Sequence, residues 1–207
     1  MEELDPKTTG RAGAFELWMK APMPMVTLVK TLDVSRPVRL SRRGDLKFNL
    51  LLCWCVGKAA SRVEEFYALP AGEKLIRYEK LAVNTVVALE NGGIATCDVP
   101  FSGDFATFRR DYLALTERVR VSGKAYDLDG GHMVIGTSAL PQTEIDGAVN
   151  IYAGCWNNPF LIWGKYRRKL LGASLPVSFQ FHHAQMDGGH AARFLECLQE
   201  EIRALNP

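Results

Sequence analysis

The sequence predicts an α+β, two-layer member of the α/β proteins: a mixed β-sheet with helices packed mainly on one face. Short runs with a strand period and longer amphipathic runs alternate irregularly, without the regular strand–helix–strand spacing of a parallel fold. At 207 residues, 47% of them hydrophobic, the chain fits one domain spanning residues 1–207, since single cores stop growing at roughly 250–300 residues. No repeat, low-complexity tract or linker divides it.

In chain order, residues 15–20 read as a short helix ended by Pro22 and Pro24. Residues 25–34 alternate as a strand with both faces largely covered. Asp45 is a candidate cap for a helix over residues 46–63, with Leu50, Cys53 and Val56 on its apolar stripe. Residues 75–78 and 81–89 read as strands, followed by the turn Asn91-Gly92-Gly93. Asp104 is a second cap, for a helix running to about Arg120. Strands are then expected at residues 133–135, continuing into 136–141, and at 148–152 and 160–163. A further strand over residues 177–183 starts just after Pro176. After the turn Asp187-Gly188-Gly189, residues 190–205 form an amphipathic helix with Phe194, Leu195, Leu198, Ile202 and Leu205 on one side.

Charge and composition narrow the function. Lys and Arg number 25 against 23 Asp and Glu, giving +2, and the pI is about 8.3. A nucleic-acid binder usually carries a dense basic face and a pI above about 9, so none is expected as a partner. The longest apolar stretch, residues 50–56, is far below the ~20 residues of a membrane span. Met1-Glu2-Glu3-Leu4-Asp5 is acidic and offers no secretory apolar region. Five cysteines, at 53, 55, 97, 155 and 197, are an odd number. Cys53-Trp54-Cys55 lacks the usual two-residue metal spacing, so free thiols and a reducing, cytoplasmic setting are expected.

Three of the four histidines fall within residues 182–190. By the strand period, Val177, Phe179, Phe181 and His183 share one face, and Ser178, Gln180 and His182 share the other. That parity puts His183 at the dry end of the strand, where a neutral imidazole makes a good general base. Asp187, if buried, requires a cationic partner. Two other readings use the same residues: a core histidine bonded to backbone, and a metal site through His182, His183, Asp187 and His190. Adjacent strand residues point to opposite faces, so no metal is expected.

His182-His183-Ala184-Gln185-Met186-Asp187-Gly188 matches the HHxxxDG signature, and the chain resembles the chloramphenicol acetyltransferase family well beyond it. Gly164-Lys165-Tyr166 is similar to the family's (Gly/Ala)-Lys-Tyr, and Leu175-Pro176 leads into the motif strand in register. Ser138-Ala139-Leu140-Pro141 resembles its Ser-Ala-x-Pro, and Arg11-Ala12-Gly13-Ala14-Phe15-Glu16 its Arg-x-x-x-Phe-Glu. Lys47-Phe48 and the Thr107-Phe108 pair fall at matching positions.

The resemblance implies the fold of that family and a direct transfer of acetyl from acetyl-CoA to a hydroxyl of a small molecule, chloramphenicol first. It implies His183 as general base, its tautomer held by its own backbone carbonyl, and Ser138 as donor to the oxyanion. An Arg11–Asp187 ion pair would fix the loop carrying His183. Lys165, Tyr166 and Lys47 would face CoA, while Trp18, Leu17 and Phe108 would line the acceptor pocket. A homotrimer with active sites between subunits, and antibiotic resistance, are implied in the same way. Without the resemblance, Ser138 reads equally as part of a turn before Pro141, and the lysines as solvated side chains.

The chain departs from the family around the acceptor. Gln142 stands where Trp is common, Ile162 where a Thr supports the oxyanion site through water, and Asn84 where Gln is usual. Another hydroxylated acceptor, or a non-catalytic protein binding a small molecule, therefore remain as alternatives. A dihydrolipoamide acyltransferase core is disfavoured because nothing like a lipoyl domain precedes residue 11. A peptide-synthetase condensation domain is disfavoured by length, since it carries two copies of this lobe.

Overall fold

The computed structural model describes residues 1–44, 46–152 and 154–207. The chain opens with β1 (Glu2–Leu4), α1 (Ala12–Trp18) and β2 (Met25–Asp33), then α2 (Ser35–Arg43) and α3 (Phe48–Ala60). After a single helical turn come β3 (Ala68–Ala71), β4 (Lys74–Arg77), β5 (Lys80–Ala88), β6 (Ile94–Pro100) and α4 (Phe105–Ser122). The last third holds β7 (His132–Ala139), β8 (Phe160–Trp163), β9 (Arg167–Lys169), β10 (Gly172–His182) and α5 (Gly188–Ala204).

The main sheet has seven strands. Six run in the order β2-β10-β8-β7-β5-β6, and β9 pairs with the start of β10. The pairs β5–β7 and β7–β8 are parallel and the others antiparallel, so the sheet is mixed as the sequence predicts. A small antiparallel sheet, β1-β4-β3, sits apart from it. Helices α3, α4 and α5 pack against one face of the main sheet through α3 on β5, α4 on β6 and α5 on β2. The core lies between these layers, where Phe66, Phe179, Phe181 and Phe194 are fully buried.

Several elements differ from expectation. Asp45, the expected cap of the first long helix, lies outside the described residues. That helix begins at Phe48 and buries its whole circumference, not a stripe, from Leu50 to Gly57 and again at Ala59 and Ala60. It is the central helix, enclosed by α2, α4, α5 and the sheet. The helix Ser35–Arg43 was not anticipated. Four arginines hide its apolar signal, but Asp33 Oδ1 accepts from the Ser35 N–H at 3.0 Å at its start, and Pro37 falls in its first turn where it is tolerated. No strand forms at residues 148–152, because those backbone groups are engaged by side chains of β10 instead. Strand β10 begins at Gly172, four residues before Pro176. Pro176 falls between the stretch that pairs with β9 (Gly172 to Ser174) and the stretch that pairs with β8 (from Val177), so no β8 or β9 residue stands opposite it.

Candidate active site

Strand β10 ends at His182, and the chain then leaves the sheet, so the period of two stops one residue before His183. This corrects the expected parity. His182 is the enclosed histidine, 1% exposed, whereas His183 is half-buried in the following turn. The His183 N–H donates to the Pro24 carbonyl at 2.8 Å, and the His182 carbonyl accepts from Gln185 at 2.9 Å and Met186 at 3.2 Å. Gln185, buried in the motif, donates through Nε2 to the carbonyls of Ala68 (2.7 Å) and Glu65 (3.2 Å). The turn is thus tied to β2 on one side and to the start of β3 on the other.

Arg11, 172 residues earlier in the chain, grips the same turn with its planar fork. Nη2 donates to the His183 carbonyl at 2.6 Å, Nη1 to Asp187 Oδ2 at 3.2 Å, and Nε reaches the Ala184 carbonyl at 3.5 Å. The expected Arg11–Asp187 pair is present, but it is not buried: the two side chains are 19% and 43% exposed. Asp187 also caps α5, its Oδ1 accepting from the N–H groups of Gly189 (2.9 Å) and His190 (3.2 Å). Partial burial would raise its carboxyl pKa. The His190 N–H, the His190 ring, the Gly189 N–H and Arg11 outweigh that and hold it below the usual value. His190 joins Glu65 to this cap, with Nε2 at 3.0 Å from Glu65 Oε1 and Nδ1 accepting from the Asp187 N–H at 3.3 Å.

The two adjacent imidazoles occupy different surroundings. His182 Nδ1 accepts from the Ala184 N–H at 3.1 Å, and burial, with His183 adding to it, pushes its pKa down to about 4. His183 lies flat against Trp18, with ring centroids 4.5 Å apart and planes 7° from parallel. Its Nδ1 is enclosed and has no hydrogen-bond partner, so the bond to its own carbonyl that the resemblance implies is not formed. Ring stacking, not a tautomer-fixing bond, holds this imidazole.

Ser138 lies elsewhere in the chain. It is on β7, on the face away from the helices, beside Ile162 of β8, which in turn pairs with Ser178 of β10. His183, in the turn after β10, lies five residues beyond Ser178, roughly 16 Å from that row at the usual strand rise. Within one chain the structure therefore does not bring Ser138 and His183 together. Ile162, without a hydrogen-bonding side chain, is the immediate neighbour of Ser138.

The remaining expected site residues fall into two groups. Phe48 and Tyr166 meet with ring centroids 5.3 Å apart, which brings Lys47 and Lys165, both exposed, to one region. Gly164 is required there, because a Cβ at that position would lie 2.5 Å from the Thr143 carbonyl oxygen. Trp18 is at the histidine, and Leu17 next to it is exposed. Phe108 is corrected: it is fully buried among Phe101 and Tyr112 in the core, where an aromatic on the inner face of α4 packs and no acceptor reaches it. Gln185 and His190 were missed as supports of the turn. A polar residue inside the motif and a histidine at the third position of a capped helix were the available signals. Among the described residues, no group of three or more His, Cys, Asp or Glu side chains is placed to hold a metal ion, and no helix is long and apolar enough to cross a membrane.

A mixed sheet backed by helices holds the half-buried motif histidine on a braced turn at the end of its second strand, and the family matched by this chain places it among the acetyl-CoA-dependent acyltransferases. The particular family is equally plain, since the family model described as chloramphenicol acetyltransferase matches residues 2–199. The chain belongs to the chloramphenicol acetyltransferase family. It is 27% identical over 205 residues to chloramphenicol acetyltransferase 3 of Escherichia coli, covering 96% of this chain and 95% of that protein. It is 29% identical over 177 residues to chloramphenicol acetyltransferase of Campylobacter coli, covering 82% of each. A solved chloramphenicol acetyltransferase structure superposes with a TM-score of 0.80 at 19% identity, over 97% of this chain and all 100% of that one. The cubic core of a pyruvate dehydrogenase multienzyme complex shares the fold at a TM-score of 0.68 and 18% identity, over 98% of this chain and 91% of that one.

Proposed function

We propose that this protein transfers acetyl from acetyl-CoA to a hydroxyl of a small molecule, with His183 as general base and chloramphenicol as the first acceptor to try. The hydroxyl proton passes to His183 Nε2 as the oxygen bonds to the thioester carbonyl carbon. Ser138 donates its hydroxyl to the oxyanion of the tetrahedral intermediate. The carbon–sulfur bond then breaks, the CoA thiolate takes the proton from His183, and the acetyl ester leaves. Lys47 and Lys165 meet the phosphates of CoA, and acetyl-CoA supply together with free cysteines favours a cytoplasmic setting.

The observation that carries this reading is the support given to His183. Its ring rests on Trp18 and its carbonyl on Arg11, so a half-exposed base is held without its ring nitrogens being consumed. The distance between Ser138 and His183 along one chain supports a homotrimer in which the serine of one subunit serves the histidine of the next. Exposed Val29, Val149, Ile151 and Trp156, on or over the loop-covered face of the sheet, suit burial in such an assembly.

The test is CoA thiol release from acetyl-CoA with chloramphenicol, using His183→Ala as blank. His183-dependent release supports the reaction, and an active His183→Ala protein refutes it. Mixing His183→Ala with Ser138→Ala subunits, after unfolding and reassembly, should restore activity well above that of either variant. No restoration would refute the shared site. Ile162 beside Ser138 favours the second reading, a family member that binds its ligand without transferring acetyl. Ligand binding with no His183-dependent release would select it.

A further inference from the structure

The face of the sheet away from the helices, the face that also carries Ser138, opens into a cavity of about 660 Å³, within the usual size range for small-molecule sites. One cross-strand row forms its floor: Asp98 opposite Asn84, then Gly136, Phe160 and Gln180 on successive strands. Gly136 precedes Ser138 by two positions on β7, so both face the same side. Two of the residues lining the cavity, Asp98 and Asp127, are acids, and none is Lys, Arg or His.

Asp98 is the informative side chain. It is 6% exposed, and both of its oxygens accept from neutral donors, Oδ1 from Asn84 Nδ2 at 2.7 Å and Oδ2 from the Leu128 N–H at 3.1 Å. Accepting on both oxygens is the pattern of an ionised carboxylate. Among the described residues no Lys, Arg or His lies within ion-pair distance of it, and none pairs with Asp127. A buried carboxylate without a cation is costly, and a ligand that supplies the cation offsets that cost. The other lining groups suit the rest of such a ligand. The side-chain amides of Asn150, Asn158 and Gln180 offer acceptor oxygens for a ligand's hydroxyls. The Nδ2 of Asn158 and Nε2 of Gln180 are engaged within the chain, and the Trp156 ring offers a face suited to an ammonium group.

We propose that this cavity takes a hydroxylated acceptor that carries an ammonium group, paired with Asp98 and Asp127. The inference deepens the transferase reading and rests on it, since the cavity-lining Gly136 stands two positions before Ser138, the proposed oxyanion donor, on the same face of β7. A neutral acceptor such as chloramphenicol leaves the buried carboxylate without a counter-charge, whereas an amino alcohol or amino sugar supplies one.

Calorimetric titration with chloramphenicol and with the free amine left when its dichloroacetyl group is removed isolates the charge on one scaffold. At neutral pH the amine should bind about tenfold more tightly, the effect of one charge-assisted hydrogen bond. Asp98→Asn should abolish the preference. Asp127→Asn, at an exposed position that leaves the fold intact, should reduce it. Equal or tighter binding of the amide, no binding of either, or a preference that survives both substitutions would overturn the proposal. Titration does not depend on turnover, so the two readings fail separately. Amine preference without His183-dependent thiol release sinks the catalytic reading alone, and release without amine preference sinks this one.

Discussion

Strand β10 presents Leu175, Val177, Phe179 and Phe181 to the helices, and Ser174, Ser178, Gln180 and His182 to the opposite side, and all eight are buried. The apolar set meets side chains of α5 and Phe66, with Phe179 and Phe194 centroids 4.6 Å apart. Two of the polar set, Ser178 and Gln180, meet the irregular segment between β7 and β8. Ser178 Oγ accepts from the Ala148 N–H at 2.7 Å, and Gln180 Nε2 donates to the Asn150 carbonyl at 3.2 Å and to Thr27 Oγ1 at 3.3 Å. Equal burial is therefore reached in two ways: by close packing on one face, and by hydrogen bonds to a loop backbone on the other. The first face holds the fold together. The second carries Ser138, the cavity and the acids, because polar groups are tolerated there.

Substitutions across this divide should separate activity from stability. The largest effect is expected from His183→Ala, which should lower the rate by about 10²–10⁴-fold, the usual worth of a general base, with only the small fall in melting temperature that loss of the Trp18 stack brings. An equal fall in stability would mean that His183 is a structural residue after all. Phe179→Ala, on the helix face, should cost about 3–5 kcal/mol in urea unfolding, since it empties a stacked aromatic cluster. Ser138→Ala, on the opposite face, should lower kcat by about 10²–10³-fold with KM little changed and stability kept. An unaffected kcat would show that the oxyanion donor lies elsewhere.

Smaller effects probe the polar face itself. His182 keeps a pKa of about 4 when folded against about 6.5 when unfolded. Between those values the unfolded chain binds a proton that the folded chain does not, so stability falls as pH drops from about 6.5 to about 4. Chemical denaturation across that window should flatten in His182→Gln, and an unchanged slope would assign it to other groups. Ser178→Ala should be mildest, about 1 kcal/mol from the lost bond to Ala148. Proteolysis of residues 140–159 would report it, and an undiminished resistance to cleavage would show that the loop has other anchors.

Much of this was legible beforehand, and the exceptions have local causes. The strand expected at residues 25–34 (observed 25–33), the capped helix after Asp104 and the amphipathic helix expected at 190–205 follow from period and, at Asp104, the cap. The last begins two residues earlier because Asp187, expected in a turn, caps it. The parity of β10 correctly sorted Phe179 from Gln180. It failed for His183 because the strand stops one residue earlier, where Pro24, across from it, takes the amide. β6 was missed because its outward positions Ile94, Thr96 and Asp98 mix apolar and polar residues. Phe108 was misplaced for a different reason: an aromatic at a family position looks the same in sequence whether it lines a pocket or fills a core.

Side-chain period, capping residues and the spacing of the HHxxxDG motif are properties of short stretches, and they were enough to name the sheet, the family and the candidate base. Three other features came only from packing: Arg11 reaching a carbonyl 172 residues away, α3 enclosed at the centre, and Ser138 standing apart from His183. The acidic cavity belongs with them, since Asn84, Asp98 and Gln180 come from three strands. Such features depend on which distant segments fold against one another, and no period within a single stretch encodes that choice.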